Sequence, residues 1–178
     1  MKSVDRYDLS AEYVMQNFLI ISLLFMCTCT QVSAQSTGKE TLSHLEGIGV
    51  IVDASGDAIK QDAGWTDIDG AIRESLRRAG ITVYSEFERQ NTAAMPYLYI
   101  RVLTMQGGEA VAGAYAYAID MSVNQVVRHR GEGLTPAETY RAPSSLGMID
   151  ANAVQTIRAV VLDQVGTFID DWRSTHGE

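Results

Sequence analysis

Apolar residues recur along this chain at two spacings, every second residue and every three to four, and the switches between them mark the elements. Residues 47–55, GIGVIVDAS, set Ile48, Val50 and Val52 on one side and Gly47, Gly49 and Ile51 on the other, which predicts a short strand. Residues 57–65 read as a polar loop. Ile68, Ile72, Leu76 and Ala79 then follow at helical spacing, with Thr66 as the expected N-cap and Asp69 in the first turn. Arg73, Arg77 and Arg78 lie towards the end of that helix, and Gly80 is placed to stop it. A second short strand, ITVY, occupies 81–84, and a loop runs from 85 to 96. In YLYIRVLTM, 97–105, the alternation is clear, and Gly107 and Gly108 turn the chain into a long strand over 114–130 with a bend near Gln125. LTPAETYRA, 134–142, is a last strand whose Pro136 suits a sheet edge. From Asp150 onward Val154, Ile157, Val161, Val165, Phe168 and Trp172 make one stripe of a long amphipathic helix.

The resulting order, β-α-β-β-β-β-α, predicts an α+β fold in which the first βαβ unit supplies two parallel strands and the later strands run antiparallel. Two helices with one apolar stripe each suit a two-layer sandwich, a mixed five-stranded sheet with both helices on one face, over residues 45–174. The register of the hairpin 97–105 with 114–127 follows from burial. Placing Leu98, Ile100 and Val102 with Tyr115, Tyr117, Ile119, Met121 and Val123 puts apolar on apolar, whereas the other register buries Asp120, at a cost of several kcal/mol for an unpaired carboxylate. The uncovered face then carries Tyr97, Tyr99 and Arg101 beside Ala116, Ala118 and Asp120. Aromatic rings beside alanines, with a cation and an anion in reach, suit a sugar ring, a peptide or another protein. The plainer alternative is a solvated face with an ordinary Arg101–Asp120 cross-strand pair.

Ahead of this domain, FLIISLLFM (18–26) is an uncharged apolar run followed by small and polar residues and by Val32-Ser33-Ala34. That is the layout of a secretory signal peptide over 1–34, with the cut expected between Ala34 and Gln35. The run is shorter than the ~20 apolar residues of a membrane span. Its basic Lys2 and Arg6 are outnumbered by Asp5, Asp8 and Glu12, which a translation start at Met15 would remove. Both cysteines of the chain, Cys27 and Cys29, fall inside this segment. A C-x-C pair without further cysteines lacks the ligands of a structural zinc site. Lipid attachment at either position fits less well than removal with the signal, because bulky residues precede each. Residues 35–44, QSTGKETLSH, read as a flexible tether after the cut. The mature chain is thus expected to be an exported, periplasmic or secreted domain free of cysteine, with no membrane span.

Charge narrows the partners. The whole chain carries a formal charge of −8, and without residues 1–34 it keeps 12 Lys and Arg against 19 Asp and Glu, a charge of −7. Nucleic acid is disfavoured, since its binding rests on neutralising phosphates with basic side chains.

The machinery of common catalysis is sparse. His44 lies in the expected tether and His176 near the end, leaving His129 as the histidine of an expected strand, so neither a serine triad nor a histidine metal site has its parts. Gly47 and Gly49 offer half of a dinucleotide fingerprint, but Val50-Ile51-Val52 continues the strand where the cofactor needs a turn. Asp53, Asp57, Asp62, Asp67 and Asp69 cluster in sequence at a spacing that fails the calcium-loop pattern. Arg128-His129-Arg130 is the densest basic point and reads as a solvated strand end. No cofactor and no metal are expected.

The segments LEGIGVIVDAS, LRRAGITVY, LYIRV and YAYAIDMSVNQVV with the closing amphipathic helix resemble small uncharacterised exported bacterial proteins, over about residues 45–172. The resemblance implies export and the α/β arrangement and supplies no activity. The function expected from these observations is a non-enzymatic periplasmic or envelope interaction module using the open sheet face, its partner an envelope protein or a second copy of the chain. One alternative is a carboxylate-dependent hydrolase with Asp53 at a strand end as acid or base. The other is a self-associating structural protein.

Overall fold

The computed structural model describes residues 36–61, 65, 67–109, 112–129, 133–150 and 155–177. All of them belong to one unit spanning 35–178. The signal layout, both cysteines, the Ala34–Gln35 junction, Asp62, the Thr66 cap, Arg130 and Val154 lie outside the described residues.

A short 3-10 helix, Lys39–His44, precedes β1 (Gly47–Gly56), α1 (Asp57–Gln61), α2 (Ile68–Arg78), β2 (Thr82–Val83), α3 (Glu86–Gln90), β3 (Tyr97–Gln106), β4 (Ala114–His129), β5 (Gly133–Arg141), β6 (Ser145–Asp150) and α4 (Gln155–His176). The sheet order is β2-β1-β3-β4-β5, with β6 also on β4. β1 runs parallel to both β2 and β3, and β3, β5 and β6 are each antiparallel to β4. This is the expected α+β sandwich with a mixed sheet, built from six strands where five are expected.

The extra strand has a physical cause. β5 and β6 are two halves of one run along the same edge of β4, β5 pairing with residues 122–129 and β6 with 114–119. Between them Pro143 has no N–H for the ladder, and the Gln164 side chain of α4 donates to the Pro143 carbonyl at 2.9 Å and to Ser145 Oγ at 2.7 Å. Pro136 lies on β5 at the edge, as expected. The bend expected near Gln125 is a register shift between Val123 and Asn124.

Burial follows the expected register. Leu98, Ile100 and Val102 of β3 and Ile119, Met121 and Val123 of β4 are fully enclosed, beneath Ile72 and Leu76 of α2 and Ile157, Val161, Val165 and Phe168 of α4. Tyr140 meets Phe168 edge to face at 5.6 Å. The helix before β2 begins at Ile68, with Asp67 at its N-cap making no side-chain capping bond. It ends at Gly80, whose φ of +85° a side chain would strain. The polar loop expected over 57–65 contains α1, because Ala58 is fully buried and ties the segment down. The loop expected over 85–96 contains α3, nucleated by a capping box between Ser85 and Glu88.

The tether expected at 35–44 is docked. Thr37 exchanges two backbone hydrogen bonds with Arg141 at 2.9 and 3.0 Å, and Leu42 is fully buried. Asp171 of α4 accepts hydrogen bonds from Ser36 Oγ and, at 2.9 Å, from Tyr140 Oη, and forms an ion pair with Lys39 at 2.9 Å. Burial pushes the Asp171 carboxyl up, and the Ser36, Lys39 and Tyr140 partners more than offset it, leaving the group below its ordinary value. Burial and the same carboxylate drive the Tyr140 phenol well above its usual value. One apolar residue and one well-partnered carboxylate thus convert a polar segment into part of the domain. His44 and His176 accordingly stand in helices, His176 stacked on Trp172 at 4.0 Å.

Candidate functional site

α2 and α4 cover one side of the sheet. On the other side β3 presents Tyr97, Tyr99, Arg101, Leu103 and Met105, and directly opposite them β4 presents Asn124, Ser122, Asp120, Ala118 and Ala116. Large side chains fill the first column and small ones the second. β3 is therefore a ridge and β4 the floor of a groove. Ile51, Asp53 and Ser55 of β1 flank the ridge on its far side. Beyond β4, Glu138 and Arg141 of β5 and Leu146 and Met148 of β6 form the second wall of the groove.

The groove changes character along its length. One half is polar, bounded by Tyr99, Arg101, Asp120, Ser122, Glu138 and Arg141, with a volume of about 130 Å³. The other is mainly apolar, lined by Leu103, Met105, Ala116, Ala118 and Leu146 together with Thr104 and Tyr117, with a volume of about 320 Å³. Met105, Leu146 and Met148 are 68%, 78% and 60% exposed, high values for side chains of this kind lying side by side.

Within the polar half most groups have partners. Tyr99 Oη donates to Asp53 at 2.8 Å, and that bond raises the Tyr99 phenol above its ordinary value. Ser144 Oγ donates to Asp120 at 2.6 Å. Arg141 grips Glu138 through two bonds of 2.8 Å, which raises its guanidinium. Arg101 lies between Asp53 and Asp120 in register, yet among the described residues its side chain makes no hydrogen bond or ion pair with either. The Arg101–Asp120 cross-strand pair of the plainer alternative is not formed among the described residues. Asp120 has taken Ser144 instead.

One end of the ridge is closed. The Arg89 side chain of α3, paired with Glu86 at 2.6 Å, crosses Gly49 and brings its guanidinium 5.4 Å from the centre of the Tyr97 ring. A Cβ on Gly49 would stand 2.6 Å from Arg89 Cδ, so the glycine is what admits the crossing. Gly47 likewise lies under the Tyr84 ring, 2.6 Å from where a Cβ would be. The two glycines that look like half of a dinucleotide motif are thus places where side chains pass over β1.

The predicted residues are brought to one face, though not to one point. Tyr97, Tyr99, Arg101 and Asp120 gather around the polar half. Ala116 and Ala118 pair with Met105 and Leu103 and belong to the apolar half. Asp53 does not stand at a strand end, because β1 continues to Gly56 and places it on the open face. Of the acidic cluster, Asp57 begins α1 while Asp67 and Asp69 lie at the start of α2. Arg128 and His129 end β4. Sequence reasoning missed Leu103 and Met105, which two more steps of the same alternation supply, and Leu146 and Met148, which need β6.

No protein-family model matches the chain, and no curated protein does. Solved structures that match it include two at low identity. The rare lipoprotein B from Shewanella oneidensis is 10% identical, with 72% of this chain and 93% of that one covered, at a TM-score of 0.31. A PelC dodecamer from Paraburkholderia phytofirmans is 14% identical, with 68% and 88% covered, at a TM-score of 0.34. No helix among the described residues is long and apolar enough to cross a membrane.

Proposed function

We propose that the chain is an exported interaction module, non-enzymatic, whose open sheet face is its contact surface. The observation that carries this reading is the contiguity of the face: exposed Met105, Leu146 and Met148 and half-buried Leu103 adjoin Arg101, whose side chain has no partner among the described residues, and none of the described helices lines the apolar half. Small-molecule pockets are typically enclosed and about 300–1,000 Å³ with a few convergent polar groups. Here the polar half holds about 130 Å³ and the larger half is lined almost wholly by carbon, which favours a macromolecular surface over a small substrate. The acidic balance argues against nucleic acid. Export rests on the layout of residues 18–35, with a periplasmic or secreted location as its consequence.

The hydrolase alternative loses support. Asp53 lies on a flat sheet with its carboxylate engaged by Tyr99, and it does not border the polar cleft.

The test is chemical cross-linking in intact cells. An Arg101→Glu, Leu146→Glu variant that melts like the native protein is expected to lose the native cross-links, and its retaining all of them would refute the reading. The mass of the purified N-terminus checks the address independently: a chain beginning at Gln35 is expected, and one retaining residues 18–34 would contradict export by cleavage.

A further inference from the structure

We infer that the partner seated on the open face is a second copy of the same chain, with the β3 ridge of each copy lying in the β4 groove of the other. This deepens the interaction-surface reading and rests on it.

The argument is self-complementarity. An isologous pair requires that a surface fit its own rotated image. A two-fold axis parallel to the strands and running between β3 and β4 exchanges those two columns while keeping each cross-strand row at its own level. Leu103 then meets the second copy's Ala118, Met105 meets Ala116, and Tyr99 meets Ser122, large on small in every case. In the middle row Arg101 meets the second copy's Asp120, and the second copy's Arg101 meets Asp120. The cation that has no partner among the described residues gains a carboxylate, once in each copy. An axis perpendicular to the strands would instead set Arg101 against Arg101, so the charge pattern selects one arrangement of the two. Sheets packed face to face align at about −30° and lie about 10 Å apart, so the match is closest at the row of Arg101 and loosens towards the ends.

The area is of the order of a small interface. Ten residues of β3 span about 33 Å, and four strands about 19 Å, giving about 600 Å² of flat sheet before side-chain relief is counted. A stable interface takes about 800 Å² of accessible surface from each partner. Pairing in this way covers Met105, which the monomer leaves in water, and completes the burial of half-buried Leu103.

The full chain is expressed and purified with the N-terminus the cell leaves on it, and its sedimentation is followed over a wide range of concentration. A monomer–dimer equilibrium is expected. Arg101→Asp alone and Asp120→Arg alone are each expected to weaken the dimer about 100-fold or more, because each homodimer then sets like charges together at both contacts. Mixing the two variants restores opposite charges at both contacts, and the mixture is expected to form heterodimers. Ala118→Arg, which fills the groove from its floor, is expected to abolish the dimer while leaving the circular dichroism spectrum that of the native fold, and to remove any dependence of the melt on protein concentration. A native chain that stays monomeric throughout overturns the inference. So does a dimer indifferent to Ala118→Arg, or a charge-swapped mixture that remains monomeric. A monomeric native chain whose cellular cross-links to another protein vanish with Ala118→Arg overturns self-pairing and leaves the contact-surface reading standing.

Discussion

The same two strands, β3 and β4, carry both faces of the sheet, and the faces differ in what holds them. On the helix side Leu98, Ile100 and Val102 interlock with Ile119, Met121 and Val123 at zero exposure. On the other side a step of one residue reaches Tyr99, Arg101 and Met105 over Ser122, Asp120 and Ala116, where none of the described helices lines the groove. Burial of the first set drives folding, at roughly 1.5–3 kcal/mol for each large apolar side chain taken out of water. The second set contributes little to folding, so its division into ridge and groove, and into polar and apolar halves, has no evident structural use. A face that folding does not need, yet that is shaped, is where contact with a partner is best sought.

Mutation separates the two faces. The largest effect belongs to the covered face: Phe168→Ala or Ile100→Ala is expected to cost about 2–5 kcal/mol in urea denaturation, through lost transfer energy and the cavity left behind. Met105→Ala and Leu146→Ala, on the open face, are expected to stay within about 0.5 kcal/mol. Equal losses on the two faces would erase the distinction.

Next comes the docked N-terminal segment. Asp171→Asn is expected to cost about 2 kcal/mol at neutral pH, because it removes the charge that holds Lys39 and weakens the bonds from Ser36 and Tyr140. The pH dependence has a definite sign. The folded carboxyl of Asp171 titrates below its unfolded value, so its stabilisation is present above the ordinary carboxylate range and is lost as pH falls through the folded value. Stability of the native protein should therefore fall with acid in that window, and the Asn variant should show a shallower fall, measurable by denaturation at stepped pH. Gly47→Ala is smaller, about 1 kcal/mol, since the Tyr84 ring and the Thr82 carbonyl must both give way. Smallest is Tyr99→Phe, which removes the bond to Asp53 at an exposed position and is expected to change stability by less than about 0.5 kcal/mol.

Legibility in the sequence divides along the same line. The covered face could be read because burial enforces period two in β3 and β4 and period three to four in α2 and α4, and Leu98, Ile119 and Phe168 all fell where the pattern put them. β6 could not, because Gly147 and Pro143 break its local signal, and only the length of β4 and the amide of Gln164 make that segment a strand. The docked segment 36–44 was hidden for a similar reason: Leu42 alone has no period, and its partners are far away in sequence. On the open face the members were legible and their grouping was not. Alternation names Tyr97, Arg101, Ala116 and Asp120 as companions, but only the pairing of Arg101 with Asp120 and of Met105 with Ala116 shows that they fall into two halves. Nor does alternation reveal that Ser144 takes Asp120 or that Arg89 covers Tyr97, since both come from outside the hairpin.

The central claim, that the open face is the working surface, is tested most directly by placing a photo-reactive side chain at single positions of the full chain in living cells. Leu146, on the open face, and Glu74, exposed on the outer side of α2, give the comparison. Irradiation is expected to yield discrete cross-linked products from position 146 and none from position 74. Products from 74 with none from 146 would contradict the account.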